Sequence, residues 1–398
     1  METTEETVSA LSVGSFLEER KPSIPVYTLR PHTLQKVSTW FLKHFSGDVL
    51  YSVKSNPDVS VLKYLHKAGV KHFDVASLKE IKLIHNLFPD SKMYFMHPMK
   101  SEEAIHEAYF NYGIKAFSLD SIDELVKILT VTNNADDLSL HVRLAIPNAK
   151  ATFNLSSKFG VDPNSTDAEY LVKETRRVAK EFGICFHVGS QCLDKEEYVR
   201  AINITKDLVL RTEVELDVLD IGGGFPASYP GMTPDCLKDY IKLITSETLY
   251  LKAALKKSFK VWCEPGRALV ADSGSLVVKV EGRKGDKLYI NDGIYGGLFD
   301  AGFPNFIYPT KVHRLDKKNS KKLDEELFEG FSFYGPTCDS LDVMKGPFLL
   351  PDNIAAGDYI EIGQLGAYSK SIRTSFNGFD DCLQIEVNDK PLLETPLE

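Results

Sequence analysis

The sequence lacks the features that mark a membrane, nucleic-acid-binding or secreted protein. No apolar run reaches the ~18 residues that a membrane span needs, and no basic segment with an apolar run opens the chain. The net charge of -9 disfavours a nucleic-acid surface and suits a cationic small molecule. Six cysteines without C-x-x-C or Cys/His spacing indicate reduced thiols and no metal site. We therefore expect a cytoplasmic protein that acts on a small molecule.

What the sequence does contain is an alternation of short apolar runs with longer amphipathic stretches. The amphipathic stretches have helical spacing. The apolar runs are largely continuous, as in a sheet that is buried on both faces. Eight such strands, each followed by a helix, predict an α/β fold built on a closed (β/α)8 TIM barrel. The predicted strands are residues 49–54, 70–75, 93–97, 114–119, 138–146, 184–188, 216–221 and 260–263.

The remainder of the chain follows a different pattern. A chain of 398 residues exceeds the about 250 residues of one barrel, and after residue 270 turn signals separate further strands. We predict a barrel over residues 31–270 and a second, all-β domain over 271–398, completed by residues 1–30. The charged segment 311–326 is predicted to be a solvated loop. The additional strands are predicted at residues 24–27, 274–281, 287–291, 331–334, 358–362 and 383–387.

Polar residues and glycines stand at the C-terminal ends of the predicted barrel strands. Barrel enzymes carry their chemistry at this rim, so we expect these residues to form one site. A single aspartate there could equally cap a helix, but the complete set is poorly explained in that way. The set comprises Lys54, Asp74, His97, Asp120, Arg143, His187, Ser190, Gly222, Gly223, Gly224, Glu264, Gly266 and Arg267.

Lys54 is the most informative member of this set. It ends an apolar, β-prone run and precedes the turn dipeptide Asn56-Pro57. Ammonium groups rarely lie at the end of a buried strand. Burial would lower the pKa of Lys54 and make its amine a nucleophile toward a carbonyl group. The alternative is a strand-end lysine that extends its amine into solvent.

Eight short motifs together resemble one enzyme family. They span residues 51–56, 73–77, 186–190, 220–226, 264–267, 289–296, 335–339 and 376–378 and run in the order of that family. The chain resembles the fold type III decarboxylases of basic amino acids, which depend on pyridoxal 5'-phosphate (PLP), and most of all the ornithine decarboxylases. The resemblance covers about residues 25–380.

The resemblance implies roles for the barrel residues. Lys54 would bind the PLP aldehyde covalently, and Glu264 would pair with the pyridine nitrogen, which must stay protonated for the ring to absorb electrons. His187 would stack on the ring, although a core histidine is the alternative. Asp74 and Arg143 would surround the cofactor and Lys54, although a structural ion pair is open for both. The phosphate would be bound by Ser190, Gly222, Gly223, Gly224, Gly266, Arg267 and Tyr368, since glycines allow close backbone approach and helix N-termini attract anions.

The β domain would supply the remaining chemistry. By resemblance, Cys338 protonates the carbanion left after CO2 departs, and Asp339 contacts the distal ammonium group of a diamino acid. Without the resemblance, Cys338 would be interpreted as a small buried hydrophobe. Family members are homodimers in which this loop enters the active site of the partner subunit, so shared active sites are expected here.

The chain departs from the family at one point that concerns the substrate. Related enzymes carry Tyr-Asp-His after the Asn-Asp-Gly turn, and that aspartate contacts the distal amine. In this chain no Tyr-Asp-His follows the turn Asn291-Asp292-Gly293. Asp300 follows the turn instead, after fewer residues than the aspartate of the related enzymes. We predict Asp300 as a possible substitute. L-Ornithine, converted to putrescine in polyamine biosynthesis, is the expected substrate, and lysine, arginine or another diamino acid stays open.

Three other functions fit the sequence less well. Diaminopimelate decarboxylases have Cys-Glu-Ser where this chain has Cys338-Asp339-Ser340. Alanine racemases pair the pyridine nitrogen with arginine, whereas this chain offers Glu264. A regulatory homologue without catalysis would not be expected to retain Lys54 and Arg267 together with Glu264 and Cys338.

Overall fold

The computed structural model describes residues 8–147, 158–315 and 327–398. Within these residues, eight parallel strands close into a barrel, and nine further strands form a separate mixed sheet. The predicted fold class is therefore confirmed. The predicted division of the chain into domains at residues 30 and 270 stays a prediction.

All eight predicted barrel strands are present. Each pairs with the next, and the eighth pairs with the first through Trp262 and Cys263, which lie opposite Asp48 and Val49. The first strand ends at Ser52, so Lys54 lies on a single 3-10 turn, Val53–Ser55, and not on the strand as predicted. Numbered 1 to 8 along the chain, the strands are Asp48–Ser52, His72–Val75, Lys92–Phe95, Ala116–Leu119, Ser139–Leu144, Glu181–Phe186, Val218–Asp220 and Lys260–Cys263.

Helices surround the barrel, and serines begin several of them. Ser77, Ser101, Ser121 and Ser165 each accept a hydrogen bond from a backbone N–H of the first turn, which satisfies a donor that the helix itself leaves unpaired. None of the described helices is both long and apolar enough to cross a membrane. The helices between strands are Val59–Lys67, Leu78–Leu87, Glu102–His106 with its π-helical continuation Glu107–Asn111, Ile122–Val131, Thr166–Val178, Glu196–Thr212 and Leu237–Leu255.

Strand 8 departs from the predicted pattern. Only the four-residue helix Arg267–Val270 and the 3-10 turn Ala271–Ser273 follow it before the chain enters the sheet. The helix Pro31–His44, which precedes strand 1, packs against both of these elements. The eighth helix of the barrel therefore comes from before the first strand, and this leaves Arg267 at the start of a very short helix.

The mixed sheet joins both ends of the chain. Strand Val26–Leu29 lies between Gly274–Lys284, to which it is antiparallel, and Leu383–Val387, to which it is parallel. Strand Tyr359–Ile362 pairs with Gly274–Lys284 and Thr310–His313. The nine strands are Val8–Ala10, Val26–Leu29, Gly274–Lys284, Lys287–Ile290, Thr310–His313, Phe328–Tyr334, Val343–Pro351, Tyr359–Ile362 and Leu383–Val387. Two further short helices, Val13–Arg20 and Phe299–Gly302, accompany this sheet.

Three of these strands were not predicted: Val8–Ala10, Thr310–His313 and Val343–Pro351. The solvated loop predicted for residues 311–326 is wrong at its start, because Thr310–His313 is paired with a buried strand. Lysine and histidine in this segment hid a strand that is exposed on one side. The rest of the predicted loop, residues 316–326, lies outside the described residues.

A buried ion pair holds the sheet together near its centre. Arg30 donates to Glu361 at 2.7 Å, and both side chains are 1% exposed. Ser275 and His313 also contact the Glu361 carboxylate, at 2.8 and 3.0 Å. Burial would raise the pKa of Glu361, but His313 and Arg30 outweigh burial and lower it to about 2. Four separate segments therefore depend on one ionised carboxylate.

We expect Glu361→Gln to lower the free energy of unfolding by about 3 kcal/mol, because it leaves the buried Arg30 with only the more exposed Asp389, at 2.9 Å, as its counter-ion. Denaturant titration at pH 7 measures this change. The control is Glu394→Gln, whose carboxylate pairs with Lys36 at 2.9 Å but is half exposed, and which should cost at most about 1 kcal/mol. Equal effects of the two variants would contradict the importance given to burial.

Candidate active site

The structure brings the predicted residues of the barrel rim together around Lys54. The Lys54 Nζ lies 3.5 Å from Asp74 Oδ2 at the end of strand 2. The same carboxylate oxygen accepts a hydrogen bond from Ser52 at 2.8 Å, and the Ser52 hydroxyl also reaches the Glu264 carbonyl at 3.2 Å. Three strand ends are thereby connected through one serine hydroxyl.

The predicted lowering of the Lys54 pKa is wrong. Burial does act in that direction, but Asp74, with Tyr368 and Glu264, outweighs it and raises the pKa of Lys54. The Lys54 side chain is also 45% exposed, whereas Asp74 is 4% exposed. The lysine is therefore held as an ammonium ion, and Asp74 is the nearest acceptor for its proton.

The turn that carries Lys54 is fixed by its own motif and by the sheet. The Ser55 hydroxyl donates to the Ser52 carbonyl at 2.8 Å, and Tyr51 donates to the Asn56 carbonyl at 2.9 Å. From the sheet side, the Tyr368 N–H donates to the Ser55 carbonyl at 2.9 Å. Tyr368 is thereby placed beside Lys54 by a backbone contact that the motif alone did not reveal.

The glycines after strand 7 form a cradle with no room for side chains. Gly222 and Gly224 have φ angles of +67° and +102°, which favour glycine. A Cβ at Gly223 would lie 2.6 Å from the Glu264 carbonyl and 3.1 Å from the His187 ring. At Gly266, a Cβ would lie 2.9 Å from Ser55. Glycine is therefore required at these positions by the close packing of the loops after strands 6, 7 and 8 and the turn that carries Lys54.

Two buried carboxyl groups lie next to each other at the ends of strands 7 and 8. Burial raises the pKa of Glu264 well above its usual range, and Asp220 and Asp74 raise it further. Burial also raises the pKa of Asp220 to about 6. Asp220 accepts the Gly222 N–H at 2.8 Å, which connects this carboxyl to the glycine cradle. Burial and the neighbouring carboxyl groups therefore favour the protonated form of Glu264, whereas the nearby Lys54 favours the ionised form.

The histidine predicted to stack on the cofactor is neutral. The Gly189 N–H donates to His187 Nδ1 at 2.9 Å. Burial, with Arg143 and Lys54, holds the pKa of His187 well below its usual range. Arg143 itself lies on strand 5 with its guanidinium 5.5 Å from the ring of Phe159. Ser190 directly follows Gly189 and is partly buried.

Arg267 is enclosed by rings and by one carboxylate. It donates to the Tyr229 hydroxyl at 2.8 Å and to Asp300 Oδ2 at 3.2 Å. Its guanidinium lies 4.9 Å from the ring of Tyr368. The structure thus places Asp300 beside Arg267. The predicted contact of Asp300 with the distal amine of the substrate stays a prediction.

The other predicted residues lie on a loop of the sheet. Cys338 is exposed, and its N–H donates to the Asn377 side chain at 3.0 Å. Asp339 accepts hydrogen bonds from the Tyr295 hydroxyl and, at 3.0 Å, from the Leu341 N–H. These contacts lower the pKa of Asp339. All of these partners lie in segments between the strands of the sheet, so the thiol and the carboxylate form a second group.

Four residues of this arrangement received no role from the sequence. Asp220, Tyr295 and Asn377 lie within motifs that carry the family resemblance, and the motif was the only available signal. Tyr229 lies outside every quoted motif. Its contact with Arg267 arises from an isolated bridge between Tyr229 and Met232, which sequence spacing does not indicate.

Comparison with known proteins identifies the family. The model for the pyridoxal-binding domain of the pyridoxal-dependent decarboxylases matches residues 32–271. The chain belongs to the pyridoxal-dependent decarboxylase family. It is therefore a carboxy-lyase that uses PLP as its cofactor, and the resemblance inferred from the motifs is confirmed.

Individual relatives are named as decarboxylases of several amino acids. A lysine/ornithine decarboxylase from Selenomonas ruminantium is 32% identical over 358 residues, which cover 86% of this chain and 84% of the relative. A diaminopimelate decarboxylase from Archaeoglobus fulgidus is 30% identical over 402 residues, 96% and 91% of the two chains. The arginine decarboxylase of Paramecium bursaria Chlorella virus, solved with agmatine, has a TM-score of 0.80 and 27% identity, and the match covers 94% of this chain and 98% of the viral one. The protein is a basic amino acid decarboxylase.

We expect Asp220→Asn to flatten the pH dependence of stability. Because folding raises the pKa of Asp220 to about 6, this group removes stability as the pH rises from about 4 through 6. Asparagine still accepts the Gly222 N–H but does not titrate. Thermal unfolding measured from pH 5 to 8 should show that the melting temperature falls less with rising pH in the variant than in the wild type.

Asp217→Asn is the matched control at the other end of this segment. Burial opposes ionisation of Asp217, but hydrogen bonds from the Phe182 N–H and from Arg176 lower its pKa. This carboxylate therefore stabilises the fold throughout pH 5 to 8. Its loss should lower the melting temperature at every pH in this range without changing how steeply the melting temperature depends on pH. If the pH dependence of the melting temperature were also unchanged in Asp220→Asn, the buried pair of Asp220 and Glu264 would not be a source of that dependence.

Proposed function

We propose that the protein decarboxylates L-ornithine to putrescine, and that Asp339 recognises the distal ammonium group. The ionised carboxylate of Asp339, held by Tyr295, is the observation that carries this proposal. An ammonium group paired with a carboxylate in a closed site is favourable where both are hydrogen-bonded. A relative named lysine/ornithine decarboxylase supports the same substrate class.

The residues at the barrel rim fit PLP. The glycine cradle admits the close approach that a phosphate group needs, and Glu264 lies buried beside the cradle where a ring nitrogen could be protonated. When bound, PLP supplies an electron sink for the pair released by loss of CO2. Lys54 would hold its aldehyde, His187 its ring face, and Asp74 and Arg143 would surround it. Its phosphate would be bound by Ser190, Gly222, Gly223, Gly224, Gly266, Arg267 and Tyr368.

The rim residues would also hold and move the protons. Lys54 must lose a proton before its nitrogen can act as a nucleophile. Asp74 Oδ2, at 3.5 Å from Nζ, would hold the ammonium form until that proton is lost. Glu264 can give its proton to a basic ring nitrogen and then remain beside it as a carboxylate, since the pair of opposite charges offsets the cost of burial. His187, being neutral, adds no competing positive charge.

The sheet loop would complete the reaction from another subunit. Cys338 would deliver the proton to the carbon that loses CO2. Cys338 is exposed in the single chain, and nearby Leu341, Phe376 and Phe379 are exposed as well. Apolar side chains of this size around a reactive loop are typical of a protein interface. We therefore propose a homodimer whose two active sites each borrow this loop.

The loop also bears on other substrates. Lysine and arginine carry a distal cation that Asp339 could pair with, and they differ from ornithine in length. Diaminopimelate carries a second carboxylate, which Asp339 would repel. The distinction between ornithine, lysine and arginine therefore depends on the space between the rim and the loop, and we place ornithine first.

A substrate panel with Asp339→Asn tests the proposal. We expect the wild type to prefer ornithine over norvaline, which lacks the distal amine, by roughly a hundredfold in kcat/KM, since loss of one partner of such a pair costs ~2–5 kcal/mol. Asp339→Asn should remove most of this preference by slowing ornithine and sparing norvaline. Asp380→Asn, an exposed acid nearby, should behave as wild type. Diaminopimelate or an apolar amino acid as the best substrate would overturn the proposal.

Mixing two inactive variants tests the shared site. Lys54→Ala disables the rim and Cys338→Ala disables the loop. In a mixed dimer one site collects both defects and the other collects neither. Random exchange makes about half of the dimers mixed, so about a quarter of wild-type activity should return. Pull-down of tagged subunits must first demonstrate exchange. If subunits exchange and no activity returns, each site is built within one chain.

A further inference from the structure

Arg267 and Asp300 form a buried ion pair between the barrel and the segment that leads into the sheet. The guanidinium Nη2 lies 3.2 Å from Asp300 Oδ2, and the two side chains are 4% and 6% exposed. Asp300 lies on the short helix Phe299–Gly302, just after the Asn-Asp-Gly turn. This is the segment where the chain departs from related enzymes, which place a substrate-binding aspartate further along.

Aromatic rings keep water away from this pair. The Arg267 guanidinium lies 5.7, 5.3 and 4.9 Å from the rings of Tyr229, Phe306 and Tyr368. Tyr229 also accepts a hydrogen bond from Nη1. The ring contacts and the tyrosine hydroxyl orient the guanidinium without Asp300. In such surroundings charges interact over short distances much more strongly than in water.

The position of Asp300 affects any anion that Arg267 binds. Under the proposed function, Arg267 binds the phosphate of PLP. A guanidinium group has enough N–H donors for two partners, but its single positive charge would then face a phosphate dianion and the Asp300 carboxylate. The two anions repel each other, which weakens the binding of the phosphate.

We propose that Asp300 sets the affinity for the cofactor's phosphate group by sharing the charge of Arg267 with it. The carboxylate lowers the affinity for a phosphate ester and leaves the affinity for the rest of the ring unaffected. Asp300 is a positioning and charge-balancing residue that acts through Arg267. The inference rests on the proposed phosphate-binding role of Arg267. It gives the segment around Asp300, where the sequence differs from that of related enzymes, a role in cofactor retention.

Titration of the protein with the cofactor tests two roles separately: the charge-balancing role of Asp300 and the phosphate-binding role of Arg267. PLP and pyridoxal, which lacks the phosphate, are each titrated by absorbance and by quenching of protein fluorescence. Asp300→Asn should bind PLP about tenfold more tightly than the wild type, because repulsion is removed, while pyridoxal binding stays the same. Asp300→Ser, a second neutral variant, gives the same comparison if asparagine impairs folding. Asp300→Glu keeps the charge and should resemble the wild type.

Each outcome has one meaning. Weaker or unchanged PLP binding in the neutral variants overturns the inference, and so does tighter binding in Asp300→Glu, which would indicate packing instead of charge. Arg267→Ala tests the underlying assignment separately. If it binds PLP and pyridoxal as the wild type does, Arg267 is not the phosphate ligand and the proposed arrangement of PLP fails, whatever Asp300 does. Inorganic phosphate should raise the melting temperature of Asp300→Asn more than that of the wild type.

Discussion

Closure of the barrel is the constraint on which the site depends. Strand 8 pairs with strand 1, and the Ser52 N–H donates to the Pro265 carbonyl at 3.2 Å just beyond the paired residues. This single seam places Glu264 beside Lys54 and Gly266 against Ser55, although the two segments come from opposite ends of the barrel sequence. No local motif could create that proximity. Because parallel strands all point the same way, every other polar strand end is brought to the same rim.

The carboxyl groups of the barrel rim and the carboxyl group of the sheet loop lie in opposite electrostatic environments. At the rim, carboxyl groups are buried close to one another, so Asp220 and Glu264 resist ionisation until a cation approaches. On the loop, Asp339 faces solvent, and the hydroxyl of Tyr295 favours its ionised form. A buried acid is suited to exchanging a proton with a ring nitrogen. An ionised acid that faces solvent is suited to pairing with a cationic side chain.

The sequence was informative where hydrophobic pattern and motif agreed. All eight barrel strands followed from continuous apolar runs, and Lys54, Asp74, Glu264 and the glycines followed from their place after those runs. The exposed strand Thr310–His313 was missed because its composition resembles a loop. The pKa of Lys54 was misjudged because, although Asp74 was expected near Lys54, the balance between its carboxylate, at 3.5 Å, and burial could not be predicted. Contacts between distant segments, such as Asp300 with Arg267, leave no periodic signal.

The hydrogen bond from Tyr368 to Ser55 also orders events during synthesis. Chains emerge from the ribosome N-terminus first, and domains generally fold as units in that order. Here the turn that carries Lys54 is held by Tyr368, which lies near the other end of the chain. Strand Val26–Leu29 likewise cannot form its parallel pairing until Leu383–Val387 has been synthesised. A nascent barrel therefore reaches its full length with the turn of Lys54 held by its own motif alone. The site is finished only after almost the whole chain has been translated, so an incomplete chain has no complete site.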